Sequence, residues 1–189
     1  YLSFCEFTTV TDATFVGFKN YLRIWGDKTF IHSLWYTALF TVVSVLMINI
    51  LAFAVAMLLT KGIKGTNIFR TVFFMPILIG GIVLGYISQI LINCVLSLVG
   101  QPLLALNSEA GYWGMIILTG WQQIGYMMII YIAGLQNVPE DLIEAAAIDG
   151  ANALTTLFRV KIPMVMSSIT VCVFLTLTNS FKLFDQNLA

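Results

Sequence analysis

"EAAAIDGANALTTLFRVKIP", residues 144–163, is a polar island in an apolar chain. It carries Glu144 and Asp149, Arg159 and Lys161, a central Gly150 and a closing Pro163, whereas 110–139 and 162–181 contain no Asp, Glu, Lys or Arg. Local signals predict a helix, a turn and a second short helix. Pro139 suits a first helical turn, where its missing N–H would be unpaired anyway. Glu140 and Asp141 add negative charge where the helix dipole favours it. Ala145, Ala146 and Ala147 are strong helix formers. Gly150 supplies a left-handed stop, and Asn152 is a cap for the next helix, with Leu154, Leu157, Phe158 and Ile162 along one side. Neither Glu144 nor Asp149 has a cationic partner within a helical turn. The pattern alone fits two readings: an elbow docked by another protein, or an ordinary interfacial loop.

Working outward, 59% of the 189 residues are hydrophobic and 10% charged. Soluble domains run about 45–50% apolar and about 25% charged. A helix needs about 20 mainly apolar residues to cross a hydrocarbon layer roughly 30 Å thick. The charge-free stretches 29–60, 71–108, 110–139 and 162–181 therefore predict an all-α polytopic membrane protein. Its four spans are expected near 31–59, 71–98, 112–135 and 163–184. The loop "KGIKGTNIFR" (61–70) holds Lys61, Lys64 and Arg70 and no acid, which marks it as cytoplasmic. The 136–162 loop is then cytoplasmic too, while 1–28 and 99–111 are extracytoplasmic. Within 1–28, "FVGFKNYLRIWGD" spaces Phe15, Phe18, Leu22 and Trp25 as an amphipathic surface helix. The membrane domain is 29–189.

The 144–163 stretch resembles the EAA loop of ATP-binding-cassette importer permeases. The resemblance rests on Glu144-Ala145-Ala146, Asp149-Gly150-Ala151, Phe158, Ile162 and Pro163. The segments "GLQNVPEDLIEAA", "GFKNYLRIW", "NIFRTVFFMP" and "NSFKLFDQ" look like the carbohydrate-uptake branch. The resemblance implies a MetI-like type I importer fold and a prokaryotic cytoplasmic-membrane location, with one helix before Tyr1 and one after Ala189 in the parent chain. It implies that Glu144, Ala145, Ala146, Asp149, Gly150, Ala151 and Phe158 form the coupling joint to a cytosolic ATPase. That ATPase would hold the ATP and Mg, this subunit having no cofactor and no enzymatic activity of its own. A second permease subunit and an extracytoplasmic sugar-binding protein are further implied partners, beside membrane lipid.

Two polar faces are candidates for a substrate path. Thr119, Gln122, Gln123 and Tyr126 fall at helical spacing on the third span. Thr176, Asn179 and Ser180 do so on the last. Neutral donors and acceptors beside an aromatic ring suit a hydroxyl-rich sugar, but the same residues can equally link neighbouring helices by hydrogen bonds. The resemblance favours the substrate role.

Composition excludes other classes. Net charge is zero, giving no basic face for nucleic acid, and Cys5, Cys94 and Cys172 lack metal-ligand spacing. No hydrolase, zinc-protease or phosphate-loop motif occurs. The alternatives carried are an ion-coupled secondary transporter, which would usually hold an ionisable group in mid-membrane, and an importer of a polyol or glycerol phosphate.

Overall fold

The computed structural model describes residues 2–6, 13–62, 65–98, 100 and 108–182, with side chains from 111 onward in the last segment. The chain divides into two compact units, 1–39 and 40–189. The first begins with a 3-10 turn, Leu2–Phe4, and a two-stranded antiparallel ribbon of β1 (Cys5–Glu6) and β2 (Thr14–Phe15), pairing Cys5 with Phe15. Helix α1 (Lys19–Gly26) packs on it. Asn20 donates from Nδ2 to the carbonyls of Ser3 at 3.2 Å and Cys5 at 2.9 Å, and Phe4 meets the rings of Phe18 and Tyr21, each at 5.4 Å. Phe18, Leu22 and Trp25 are exposed as the amphipathic reading expects, but Phe15 lies in β2, not on the helix.

Helix α2 (Lys28–Leu59) covers the residues expected for the first span, 31–59. In the second unit its Ile48, Ala52, Ala56 and Leu59 form a buried stripe. This packs with Met127, Met128, Tyr131 and Ile132 of α5 (Ser108–Gln136) and Cys172 of α9 (Met166–Ser180). Two alanines one turn apart let α2 approach closely, and between membrane helices such packing replaces the hydrophobic effect as the source of association.

The second span departs from expectation. It is not one helix over 71–98 but α3 (Thr66–Phe74), a 3-10 turn Met75–Leu78, an extended Ile79 and then α4 (Gly81–Leu98). Pro76 has no N–H to give the Val72 carbonyl, and Gly80–Gly81 are poor helix formers, so the ladder stops and restarts. Gln122 of α5 donates from Nε2 to the Ile79 carbonyl at 3.4 Å, supplying a partner where the backbone has none of its own. Next to it, Gly125 lets α5 touch backbone: a Cβ there would fall on the Phe73 carbonyl. Helix α4 buries Leu84, Gly85 and Ser88 and leaves most of its remaining apolar surface exposed.

The last span departs as well. The chain turns 73° at Val165, so α9 starts at Met166 and Pro163 lies in the preceding turn, α8 (Ile162–Met164). Pro163 cannot donate to the Arg159 carbonyl, and the backbone widens into a π-helical turn, Leu157–Lys161, just before it. Among the described residues, three helices are long and apolar enough to cross a membrane, or four if the bent pair counts as one span. The expected outer loop 99–111 lies mainly outside the described residues, as do Lys64 and positions 183–184.

Candidate functional site

Helix α5 ends at Gln136, and a tight turn leads into α6 (Glu140–Ile148). Pro139 sits one residue earlier than the sequence suggests: it is the extended N-cap, with Glu140 and Asp141 in the first turn. The far end closes by backbone geometry. Gly150, at φ 79°, donates to the Ala147 carbonyl at 3.1 Å, and Ala151 donates to that of Ala146 at 2.9 Å. That pair of bonds is a Schellman closure, which satisfies the last carbonyls and requires the left-handed residue glycine provides. Asn152 then caps α7 (Ala153–Thr156), its Oδ1 accepting from the Thr155 N–H at 2.8 Å and the Thr155 hydroxyl at 2.9 Å. Ala145 and Ala147 help set the helix; Glu144, Ala145, Asp149 and Gly150 are exposed, and Ala146 and Ala151 half-buried.

The elbow is tipped with apolar side chains. Ile148 is 86% exposed, Leu154 66% and Phe158 64%. Phe158 was expected in the joint; Ile148 and Leu154 were not singled out as joint residues, although an isoleucine just before Asp-Gly has no core to enter. Glu144 and Asp149 take part in no ion pair among the described residues. The surface thus combines two unpaired acids with three exposed hydrophobes on a rigid, capped frame.

The polar faces of α5 and α9 meet. Asn179 donates from Nδ2 to Gln123 Oε1 at 3.3 Å, across 56 residues of chain. Tyr126 and Asn179 are half-buried; Gln122 and Gln123 are buried; Thr119, Thr176 and Ser180 are wholly enclosed. Thr176 and Ser180 return their hydroxyls to the carbonyls of Cys172 and Thr176 at 2.6 and 2.8 Å, while the Thr119 hydroxyl is buried with no partner. The structure therefore joins Gln123 to Asn179, engages Gln122 with the broken second span, and keeps the tyrosine ring of Tyr126 partly open.

Two residues belong with these faces that sequence reading did not single out. Asn49 of α2 accepts at Oδ1 from the Tyr131 hydroxyl at 2.6 Å and donates from Nδ2 to Thr176 Oγ1 at 3.3 Å. The signal was present: Asn49 is the sole amide side chain in 29–60, set in the most apolar run of the chain.

Comparison with known proteins identifies the family. The sequence profile of the family described as "Binding-protein-dependent transport system inner membrane component" matches residues 48–186. The chain belongs to this family. As an inner membrane component it has relatives named as permeases. The probable starch degradation products transport system permease protein AmyD of Thermoanaerobacterium thermosulfurigenes is 39% identical, over 100% of this chain and 67% of its own length. The multiple sugar-binding transport system permease protein MsmF of Streptococcus mutans is 30% identical, over 97% and 68%. The chain thus spans about two thirds of these relatives, and 64% of the trehalose/maltose permease MalF of Thermococcus litoralis, to which it is 28% identical over 95% of its residues. Among solved structures, a bacterial ABC transporter involved in alginate import superposes with a TM-score of 0.76. It is 18% identical, with 89% of this chain and 63% of that one covered, and it shows the shared permease fold. The apolar helices and the family place the chain in the membrane as a multi-pass protein.

Proposed function

We propose that this chain is the translocating subunit of an ATP-driven importer, carrying a sugar or oligosaccharide across the cell membrane by alternating access. The observation that carries the reading is the Schellman-closed, Asn152-capped elbow between α5 and α9, standing within the residues that match the family. It is stiff, it is tipped with Ile148, Leu154 and Phe158, and its acids lack partners: a surface made for a groove on another protein. Starch products, multiple sugars and trehalose/maltose are what the relatives are named for, and neutral hydroxyl-rich cargo matches the uncharged Gln123, Asn179, Tyr126, Thr119, Gln122 and Ser180.

In this reading the elbow is cytoplasmic. Closure of two ATPase subunits on ATP displaces it; α5 and α9, which enter and leave it, carry the displacement to the Gln123–Asn179 pair; hydrolysis resets the path inward. An extracytoplasmic binding protein delivers the sugar, and a second permease subunit completes the pathway. No Asp, Glu, Lys or Arg lies within 29–60, 110–139 or 162–181, in keeping with a drive supplied from outside the spans and not by a proton relay. Gentle solubilisation of the full chain from its native membrane, followed by mass identification of what travels with it, tests the reading. An ATPase and a second permease are expected. Sugar uptake by vesicles that persists with ATP hydrolysis blocked would overturn it.

A further inference from the structure

The hydrogen bonds around Asn49 close on themselves. Tyr131 of α5 donates its hydroxyl to Asn49 Oδ1 of α2 at 2.6 Å. Asn49 Nδ2 donates both to the Val45 carbonyl at 2.8 Å and to Thr176 Oγ1 of α9 at 3.3 Å. Thr176 donates to the Cys172 carbonyl at 2.6 Å, and the Cys172 thiol returns to α5 at the Met127 carbonyl, 3.8 Å away. Three helices are thereby tied in one ring, with the edge of the Phe53 ring against Tyr131 at 5.3 Å. Tyr131, Cys172 and Thr176 are buried and Asn49 is half-buried, with the ring at the edge of the apolar core.

Its position along the helices is as telling as its bonds. Tyr131 is five residues before Gln136, the end of α5, and eight after Gln123. At 1.5 Å per residue that is about 7.5 Å from the elbow and about 12 Å from the Gln123–Asn179 pair. The opposite stretch of the α2–α5 seam is built differently. It is bracketed by Phe40 against Tyr112, with ring centres 6.0 Å apart, and by Met47 against Gly120. Thr41 and Ser44 of α2 are buried there to 4% and 0% exposure, and Thr119, the neighbour of Gly120 on α5, to 0%, yet their hydroxyls have no partner. An unpaired buried hydroxyl is unfavourable, and parting of the seam to water relieves it. At the elbow end hydrogen bonds tie all three helices; at the other end α5 is bonded to α9 through Gln123 and Asn179, while α2 meets α5 through Phe40 on Tyr112 and Met47 beside Gly120.

Resting on the reading above, we propose that Tyr131, Asn49, Thr176 and Cys172 form a pivot. The three helices stay joined at the ring throughout the transport cycle, and the elbow's displacement opens the seam at Ser44 and Thr119. Tyr131 and Asn49 are positioning residues in this scheme: they convert a push at the loop into separation roughly one to three turns away along the helices.

The test measures thiol exposure in the assembled complex. In a background with Cys5 and Cys94 changed to Ser, native Cys172 reports on the ring. Ser44→Cys or Thr119→Cys, each with Cys172→Ser, reports on the seam. N-ethylmaleimide labelling is compared between nucleotide-free and ATP-vanadate-trapped states. Labelling at 44 and 119 is expected to differ at least tenfold between the states, and labelling of Cys172 less than twofold. Tyr131→Phe should make Cys172 reactive during turnover and lower the sugar imported per ATP at least threefold, without loss of the assembled complex. State-dependent labelling of Cys172 with Tyr131 intact, a seam equally unreactive in both states, or a Tyr131→Phe complex with unchanged coupling would each overturn the pivot. If the parent complex itself neither binds nor hydrolyses ATP, it is the importer reading that fails.

Discussion

Gly125→Ala adds one methyl group, and the structure says where it goes. The new Cβ lands on the Phe73 carbonyl and lies 2.9 Å from the Phe74 nitrogen. Carbon atoms rest about 3.5–4.0 Å apart, and both obstacles are backbone, so no rotamer change can make room. Helix α5 must back away from the end of α3. Overpacking of a filled core costs about 1–3 kcal/mol. Retreat also stretches the Gln122 to Ile79 bond, already 3.4 Å, forfeiting about 0.6 kcal/mol, the average for an interhelical bond in a membrane protein. A total of roughly 2–4 kcal/mol follows, equivalent to a fall in melting temperature of roughly 5 °C or more. The assay is thermal unfolding of the detergent-solubilised complex by intrinsic fluorescence. Gly80→Ala serves as control, because a Cβ there meets nothing within 4 Å. If Gly125→Ala melts with the control and the unaltered protein, the proposed backbone contact between α5 and the second span is wrong.

Glu144→Lys reverses one of the two unpaired acids on the elbow and should weaken ATPase association and abolish transport-coupled hydrolysis while the protein still reaches the membrane; blotting of the co-purified ATPase checks it. Gln123→Ala leaves the Asn179 amide unpaired, a loss of about 1–1.5 kcal/mol, and should raise the sugar concentration for half-maximal uptake roughly 5–10-fold with assembly intact; Tyr126→Ala should act in the same direction. Asn152→Ala removes both bonds from Thr155 and costs about 1 kcal/mol at the cap. Hydrogen exchange should speed up in 153–156 without a shift in global melting.

What could be read from the sequence follows from which forces are local. Gly150, Asn152 and the acids of the first turn act on neighbours within a few residues, so the elbow emerged with its stop and its cap in place; only Pro139 moved, by one position. The same locality misled at Pro76. A charge-free run reads as one span because hydropathy counts residues and ignores the backbone, yet proline and two glycines interrupt the ladder there. The bend at Val165 escapes for the same reason: 162–181 reads as one charge-free run, and the π turn before it carries no compositional mark. On the polar faces, spacing located Gln123 and Asn179 correctly on their own helices. That they bond to each other is a property of packing across 56 residues, which periodicity cannot contain. Asn49 and Tyr131 were overlooked because each is the lone polar member of its stretch, and a single residue has no period.

The interruption at Ile79–Gly80 bears on how such a chain is made. A continuous helix leaves the translocon with its peptide groups already paired, but this second span carries a peptide carbonyl at the break whose donor, Gln122, is 43 residues further along the chain. Until that donor has been synthesised and α5 has moved alongside, the nascent segment holds an exposed polar spot at its midpoint and has little else to grip, since α4 buries only Leu84, Gly85 and Ser88. Biogenesis of the second span is therefore tied to arrival of the third. A ribosome stalled between them should yield a segment that slips back out of the bilayer.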